Sequence, residues 1–139
     1  MKAKKIQLLM MTMLWISFVS CGQKSKEKSE DQDSGSKISL ISASELNKAN
    51  DQILLIDVRT PEEFNSGHIE NAINIDYKSD SFKDVIGKLD TDQEVYVYCK
   101  VGGRSGRSAT ILKEMGFKNV YDLEGGILAW EKEGLKTVK

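Results

Sequence analysis

The chain is short of the residues that staple or metallate small folds. Its 139 residues include two cysteines and one histidine. Two cysteines make no disulfide framework, and no C-x-x-C pair or Cys/His cluster offers a zinc site. No metal is therefore expected. One proline and 11 glycines exclude Pro-rich and collagen-like chains. A basic excess is missing as well: Lys and Arg total 20 against 21 Asp and Glu, a net charge of -1. That balance argues against a nucleic-acid partner, whose phosphates need a basic footprint. There is no internal repeat. What is present is ordinary for a globular chain, with 40% hydrophobic and 29% charged residues, and the length suggests one domain.

The first 22 residues read as an address. Lys2, Lys4 and Lys5 precede Ile6–Val19, a mostly apolar, uncharged stretch. A membrane-spanning helix needs about 20 such residues, so the stretch is short for that and has the size of a secretory h-region. Phe18-Val19-Ser20-Cys21-Gly22 resembles a bacterial lipoprotein cleavage box, with Phe18 where Leu is usual. The resemblance implies cleavage before Cys21, which would carry the lipid. An uncleaved anchor or an ordinary signal peptide is the alternative. Acyl chains add about 0.8 kcal/mol per buried methylene, so a multiply acylated Cys21 would hold a membrane firmly. Loss of residues 1–20 would leave 17 basic and 21 acidic side chains. Gln23–Lys37 holds Lys, Glu, Asp, Ser, Gln and Gly with no apolar residue. Such a segment cannot offset its ordering entropy and reads as a flexible tether. The expected organisation is a signal at 1–20, a lipidated tether at 21–37 and a domain at 38–139.

From Ile38 the pattern alternates between strand and helix. Ser42 with Glu45 is a capping box, so a short helix follows the apolar Ile38–Ile41. Ile53–Ile56 and Val95–Tyr98 are runs suited to strands buried on both faces. Thr60-Pro61-Glu62-Glu63 reads as an N-cap, a first-turn proline and an acidic first turn, with Gly67 as the stop. Ala72–Ile75 and Val120–Tyr121 suggest short strands, and 81–89, 105–115 and 126–133 suggest helices. Strands separated by helices imply βαβ crossovers. The expected fold is α/β, a single domain with a mainly parallel five-stranded sheet and helices on both faces.

In such a sheet, sites form beyond the carboxyl ends of the strands. Val95–Tyr98 leads into Cys99-Lys100-Val101-Gly102-Gly103-Arg104-Ser105. Gly102 and Gly103 let the loop curl with its N–H groups inward. Ser105 is expected to cap the next helix, whose N-terminus adds partial positive charge. Lys100, Arg104 and Arg107 add cations. Together these favour an anion at the loop centre and thiolate over thiol at Cys99. The residues point to a covalent catalyst, with an inert core cysteine as the alternative. If Cys21 is lipidated, Cys99 has no resolving partner, against a dithiol role.

The spacing C-x-x-x-x-R-S at Cys99–Ser105 resembles a rhodanese active-site loop. Three further segments match that family in order: Asp57-Val58-Arg59 before a helix, Gly67-His68-Ile69-Glu70-Asn71-Ala72-Ile73-Asn74-Ile75, and Gly125-Gly126 followed by Trp130. Asn71 stands where glycine is usual, and Asn tolerates left-handed geometry. The likeness covers about residues 38–135 and implies a sulfurtransferase. Cys99 would take sulfane sulfur from a donor such as thiosulfate, become a persulfide, and pass it to a thiophilic acceptor. The backbone N–H groups of Lys100, Val101, Gly102, Gly103, Arg104 and Ser105 would hold the adduct. No cofactor beyond that covalent persulfide is implied. Lys100 is expected either to guide an anionic donor or to be a solvated loop charge, and Arg104 to brace the loop rather than touch substrate. Asp57 and Arg59 are read as a supporting ion pair rather than an acid–base pair, and His68 as structural. The expected partners are a small sulfur donor, a thiol acceptor and a membrane held through Cys21, with the chain a monomer in the bacterial cell envelope. Two rival readings stand beside this one: a non-catalytic persulfide carrier or protein-binding module, and a thiol-dependent phosphatase or arsenate-reductase-like enzyme on the same fold. Phosphatase loops carry five residues between Cys and Arg, one more than here.

Overall fold

Parallel strands buried on both faces need near-continuous apolar runs, and two such runs form the middle of the sheet. In the computed structural model, which describes residues 35–49 and 52–139, these are β2 (Leu54–Asp57) and β4 (Val95–Tyr98). Around them lie β1 (Lys37–Ile41), β3 (Ile73–Asn74) and β5 (Asn119–Leu123). The order is β1-β5-β4-β2-β3, every pair parallel. The helices are α1 (Ala43–Asn47), α2 (Pro61–Ser66), α3 (Phe82–Ile86), α4 (Gly103–Glu114) and α5 (Gly126–Lys132). The α/β class, five parallel strands and helices between them agree with the sequence expectation.

Strand pleating sorts the core into two layers. Ile56, Val95, Val97, Cys99 and Val120 pack with Phe82 and Ile86 of α3 and Ala109 and Leu112 of α4. Leu55, Tyr96, Tyr98 and Leu123 pack with Leu46 of α1 and Ile127 and Trp130 of α5. Alternate residues of one strand thus serve opposite layers, and Cys99 falls on the α3/α4 side.

The caps of α1 and α2 form as expected. Ser42 and Glu45 exchange bonds, as do Thr60 and Glu63, with Pro61 at the helix start. Asn71 takes φ +65°, so the turn survives without glycine. Several boundaries differ. The helix expected at 81–89 spans only Phe82–Ile86: Ser81 makes no side-chain cap bond at its start, and Gly87 is its C-cap. The strand expected at 72–75 narrows to Ile73–Asn74, on the sheet edge. β5 is longer than the expected 120–121, since β1 and β4 pair with both its sides. β1 opens at Lys37, whose N–H donates to the Lys118 carbonyl. The signal, Cys21 and the tether up to residue 34 lie outside the described residues.

Candidate active site

Cys99 follows the last residue of β4 and is 1% exposed. Its Sγ accepts a hydrogen bond from the Gly102 N–H at 3.1 Å. The N–H groups of Ser105 and Val101 also lower the thiol. Burial pushes the thiol up, but these donors together outweigh it and hold Cys99 below the ordinary thiol range.

The sequence places the Ser105 side chain as the cap of α4, and the structure corrects this. The helix starts two residues earlier, at Gly103, with Gly102 at the cap position and no side-chain cap bond. Ser105 is fully buried in the first turn, where its Oγ donates to the Gly102 carbonyl at 3.1 Å. A helix start leaves N–H groups without internal partners. Here the Cys99 sulfur is the acceptor for the amides around that start. Gly102 makes this possible with φ +106°, a left-handed conformation that side chains resist.

The other side of the loop is pinned by α5. Ile127 N–H donates to the Cys99 carbonyl at 2.9 Å and Leu128 N–H to the Lys100 carbonyl at 3.2 Å. Gly126 lies so close that a Cβ there would sit 2.5 Å from the Cys99 oxygen and 2.6 Å from the Lys100 carbonyl carbon. Gly126 is therefore the rear wall of the cysteine loop, a role that motif spacing alone does not show.

Of the expected cations, Arg104 is committed to protein. Its guanidinium donates to both Glu63 carboxylate oxygens, at 2.6 and 2.8 Å. The Arg104 bonds hold the Glu63 carboxyl at about 2, against the opposing effect of burial. Lys100 and Arg107 are exposed, as is Val101. Asp57 and Arg59 form a buried pair, Nη2 to Oδ2 2.6 Å, and Arg59 Nη2 also donates to the Gly67 carbonyl at 2.7 Å. Asn74 Nδ2 donates to the carbonyls of Asp57 and Arg59. The pair thus ties the β2 exit to the end of α2. His68 stacks on Phe64 with ring centroids 3.7 Å apart, its Nδ1 3.1 Å from the Phe64 carbonyl.

A hollow of about 180 Å³ opens beside the loop, lined by Arg59, Glu63, Lys100, Leu128 and Glu131 among others. A larger hollow of about 450 Å³ lies near the start of β2, lined by Leu46, Ile53, Ile69, Trp130 and Leu135, and holds no loop residue. Two residues of the site have no role in the sequence reading: Glu63, taken as a helix-start charge, and Gly126, taken as motif spacing.

The rhodanese-like domain family model matches residues 42–133. The chain is 39% identical over 92 residues to thiosulfate sulfurtransferase 16, chloroplastic, of Arabidopsis thaliana, covering 59% of this chain and 77% of that one. It is 33% identical over 88 residues to a sulfurtransferase of Allochromatium vinosum, covering 63% and 80%. Among solved structures, a rhodanese-related protein from Thermoplasma volcanium aligns with a TM-score of 0.66 at 33% identity, over 72% of this chain and 97% of that one. With the strand order, the cysteine loop and these matches in agreement, the chain belongs to the rhodanese-like domain family.

Proposed function

We propose that the chain is a sulfurtransferase that carries sulfane sulfur as a persulfide on Cys99. The observation that carries this reading is the Gly102 N–H bond of 3.1 Å to the buried Cys99 sulfur at a strand tip, where neighbouring amides also hold the thiol below its ordinary range. In the first step the Cys99 thiolate attacks the outer sulfur of thiosulfate. A sulfur–sulfur bond forms, the donor's own breaks, and sulfite leaves with the electron pair. In the second step a thiophile such as cyanide or a thiolate attacks the outer sulfur, and the Cys99 thiolate returns as leaving group. With cyanide neither step needs a proton. Donors that hold the thiolate also hold the terminal sulfur of the persulfide anion and lower the barrier to both displacements. Lys100, exposed on the hollow's rim, is placed to attract a dianionic donor.

Mass spectrometry after thiosulfate treatment tests the reading, with a gain of one sulfur (about 32 Da) on Cys99 expected and cyanide turning it over as thiocyanate. Cys99→Ser should abolish both. Persulfide formation without turnover would favour a passive carrier; aryl-phosphate turnover without persulfide would favour a phosphatase. The same proposal places the domain in the cell envelope outside the cytoplasm, tethered through a lipid on Cys21. Cys21→Ser should move the protein from the membrane fraction to the soluble one.

A further inference from the structure

Two opposite charges line the hollow beside the cysteine loop without meeting each other. Lys100 and Glu131 are both exposed, and both border the cavity of about 180 Å³. Neither side chain has a hydrogen bond or ion pair among the described residues. The other two charges on the wall are already engaged. Arg59 is held by Asp57 and the Gly67 carbonyl, and Glu63 by Arg104. One ammonium and one carboxylate are therefore left to meet a ligand.

The backbone fixes where this free pair sits. Lys100 follows Cys99, and its carbonyl accepts the Leu128 N–H at 3.2 Å. Leu128 and Glu131 are three positions apart on α5, so they share a face. Leu128 is 44% exposed and offers the hollow an apolar surface for a short methylene stem. Glu63, on the same wall, holds Arg104 at the far end of the loop. The hollow thus borders both ends of the loop that carries the sulfur.

A ligand of one sign meets one of the two charges as a partner and the other as a repulsion, whereas a zwitterion meets both as partners. We propose that the hollow is the acceptor site and that it takes a zwitterionic thiol, an α-amino acid with a short thiol side chain. Lys100 holds the carboxylate and Glu131 the ammonium. This deepens the sulfurtransferase reading and rests on it for the chemistry. The acceptor thiol gives its proton to solvent, and its thiolate attacks the outer sulfur of the Cys99 persulfide. The new sulfur–sulfur bond forms as the old one breaks, and Cys99 leaves as thiolate. The product is the amino-acid persulfide, with no outside oxidant or reductant. The donor has left before the acceptor enters, so Lys100 can serve both half-reactions. Glu131 serves only the second and repels a dianionic donor.

The test loads the full chain carrying Cys21→Ser with thiosulfate, removes the excess, confirms the persulfide by mass and follows its loss on mixing with each of three thiols below saturation. Cysteine carries both charges, 3-mercaptopropionate only the carboxylate and cysteamine only the ammonium. Glu131→Gln should slow transfer to cysteine and to cysteamine by about fivefold, as one exposed ion pair is lost, and should speed transfer to 3-mercaptopropionate. Lys100→Ala should slow cysteine and 3-mercaptopropionate by a similar factor and speed cysteamine. Each thiol is compared with itself in the parent chain, so differences in thiol basicity cancel. A variant that changes all three thiols alike overturns the proposal, as does parental transfer to cysteine in Glu131→Gln. If no persulfide forms, binding decides. S-methylcysteine, a zwitterion that accepts no sulfur, is titrated into the unloaded chain while the amide resonances of Lys100, Leu128 and Glu131 are followed. Saturable shifts that weaken about fivefold in Glu131→Gln support the site; absent shifts, or shifts indifferent to the variant, overturn it. A missing persulfide counts against the sulfurtransferase reading alone, so the two failures are distinct results.

Discussion

Glu63 and Arg104 grip each other through two parallel hydrogen bonds of 2.6 and 2.8 Å, although 41 residues separate them. The pair joins the first turn of α2 to the first turn of α4. Glu63 Oε2 also accepts the Thr60 N–H at 3.0 Å, so one carboxylate closes a helix cap and braces the cysteine loop. Arg104 is thereby withdrawn from substrate.

Glu63→Gln should lower stability by about 1 kcal/mol, a modest value because both side chains keep contact with water. Its carboxyl is held at about 2 in the folded chain against an ordinary 4.5. A depressed folded value contributes stability that is fully present above the unfolded value and fades as pH falls through the folded one. The gap in Tm between wild type and variant should therefore be largest above pH 4.5 and close toward pH 2. A gap constant over that range would refute the ion-pair account.

Gly126→Ala should lose about 3 kcal/mol and most of the sulfurtransferase activity, since its Cβ meets loop backbone that cannot swing aside. Gly134→Ala is the control. It shares a positive φ, at +74°, but nothing lies within 4 Å, so it should cost about 1 kcal/mol and leave turnover intact. Thermal melts and thiocyanate assays read both.

Gly102→Ala separates geometry from packing. A Cβ at Gly102 meets nothing within 4 Å, yet φ is +106°. Relief of that strain turns its N–H off the Cys99 sulfur. We expect Tm to fall by only a few degrees, while alkylation below the thiol midpoint slows about tenfold through the lost donor. Parental alkylation kinetics would remove this N–H from the mechanism.

Lys100→Ala should raise KM for thiosulfate several-fold with kcat unchanged, and the difference should shrink as salt screens the exposed charge. A fall in kcat alone would mean that Lys100 acts on the transferring sulfur rather than on donor capture.

Asp57→Asn should cost about 3 kcal/mol, because it leaves the buried Arg59 guanidinium without its carboxylate. Burial opposes the charge on Arg59, while Asp57, with smaller help from Tyr98 and Glu63, more than restores it. At a temperature where the variant stays folded, the pH profile of turnover should keep its parental shape. A lost limb in that profile would make Asp57 a proton-transfer group.

Short-range information was enough for much of this molecule. The apolar runs at 53–56 and 95–98 and the Ser42 and Thr60 caps all follow from residues within a few positions of one another, while the left-handed Asn71 follows from the family resemblance. Those same local rules put Cys99 at a strand tip in a glycine-rich loop, and with it the candidate chemistry. They failed where a partner came from far along the chain. Arg104 reads as a brace from the sequence, but its partner Glu63 comes from another helix and is named only by the fold. Gly126 became indispensable only because the parallel crossover lays α5 against the loop. Local propensity acts over three or four residues, and so it names the nucleophile. The donors from within its loop are also local, whereas the Glu63 carboxylate and the α5 backbone that hold that loop in place are 28 to 41 residues distant and meet it only by packing.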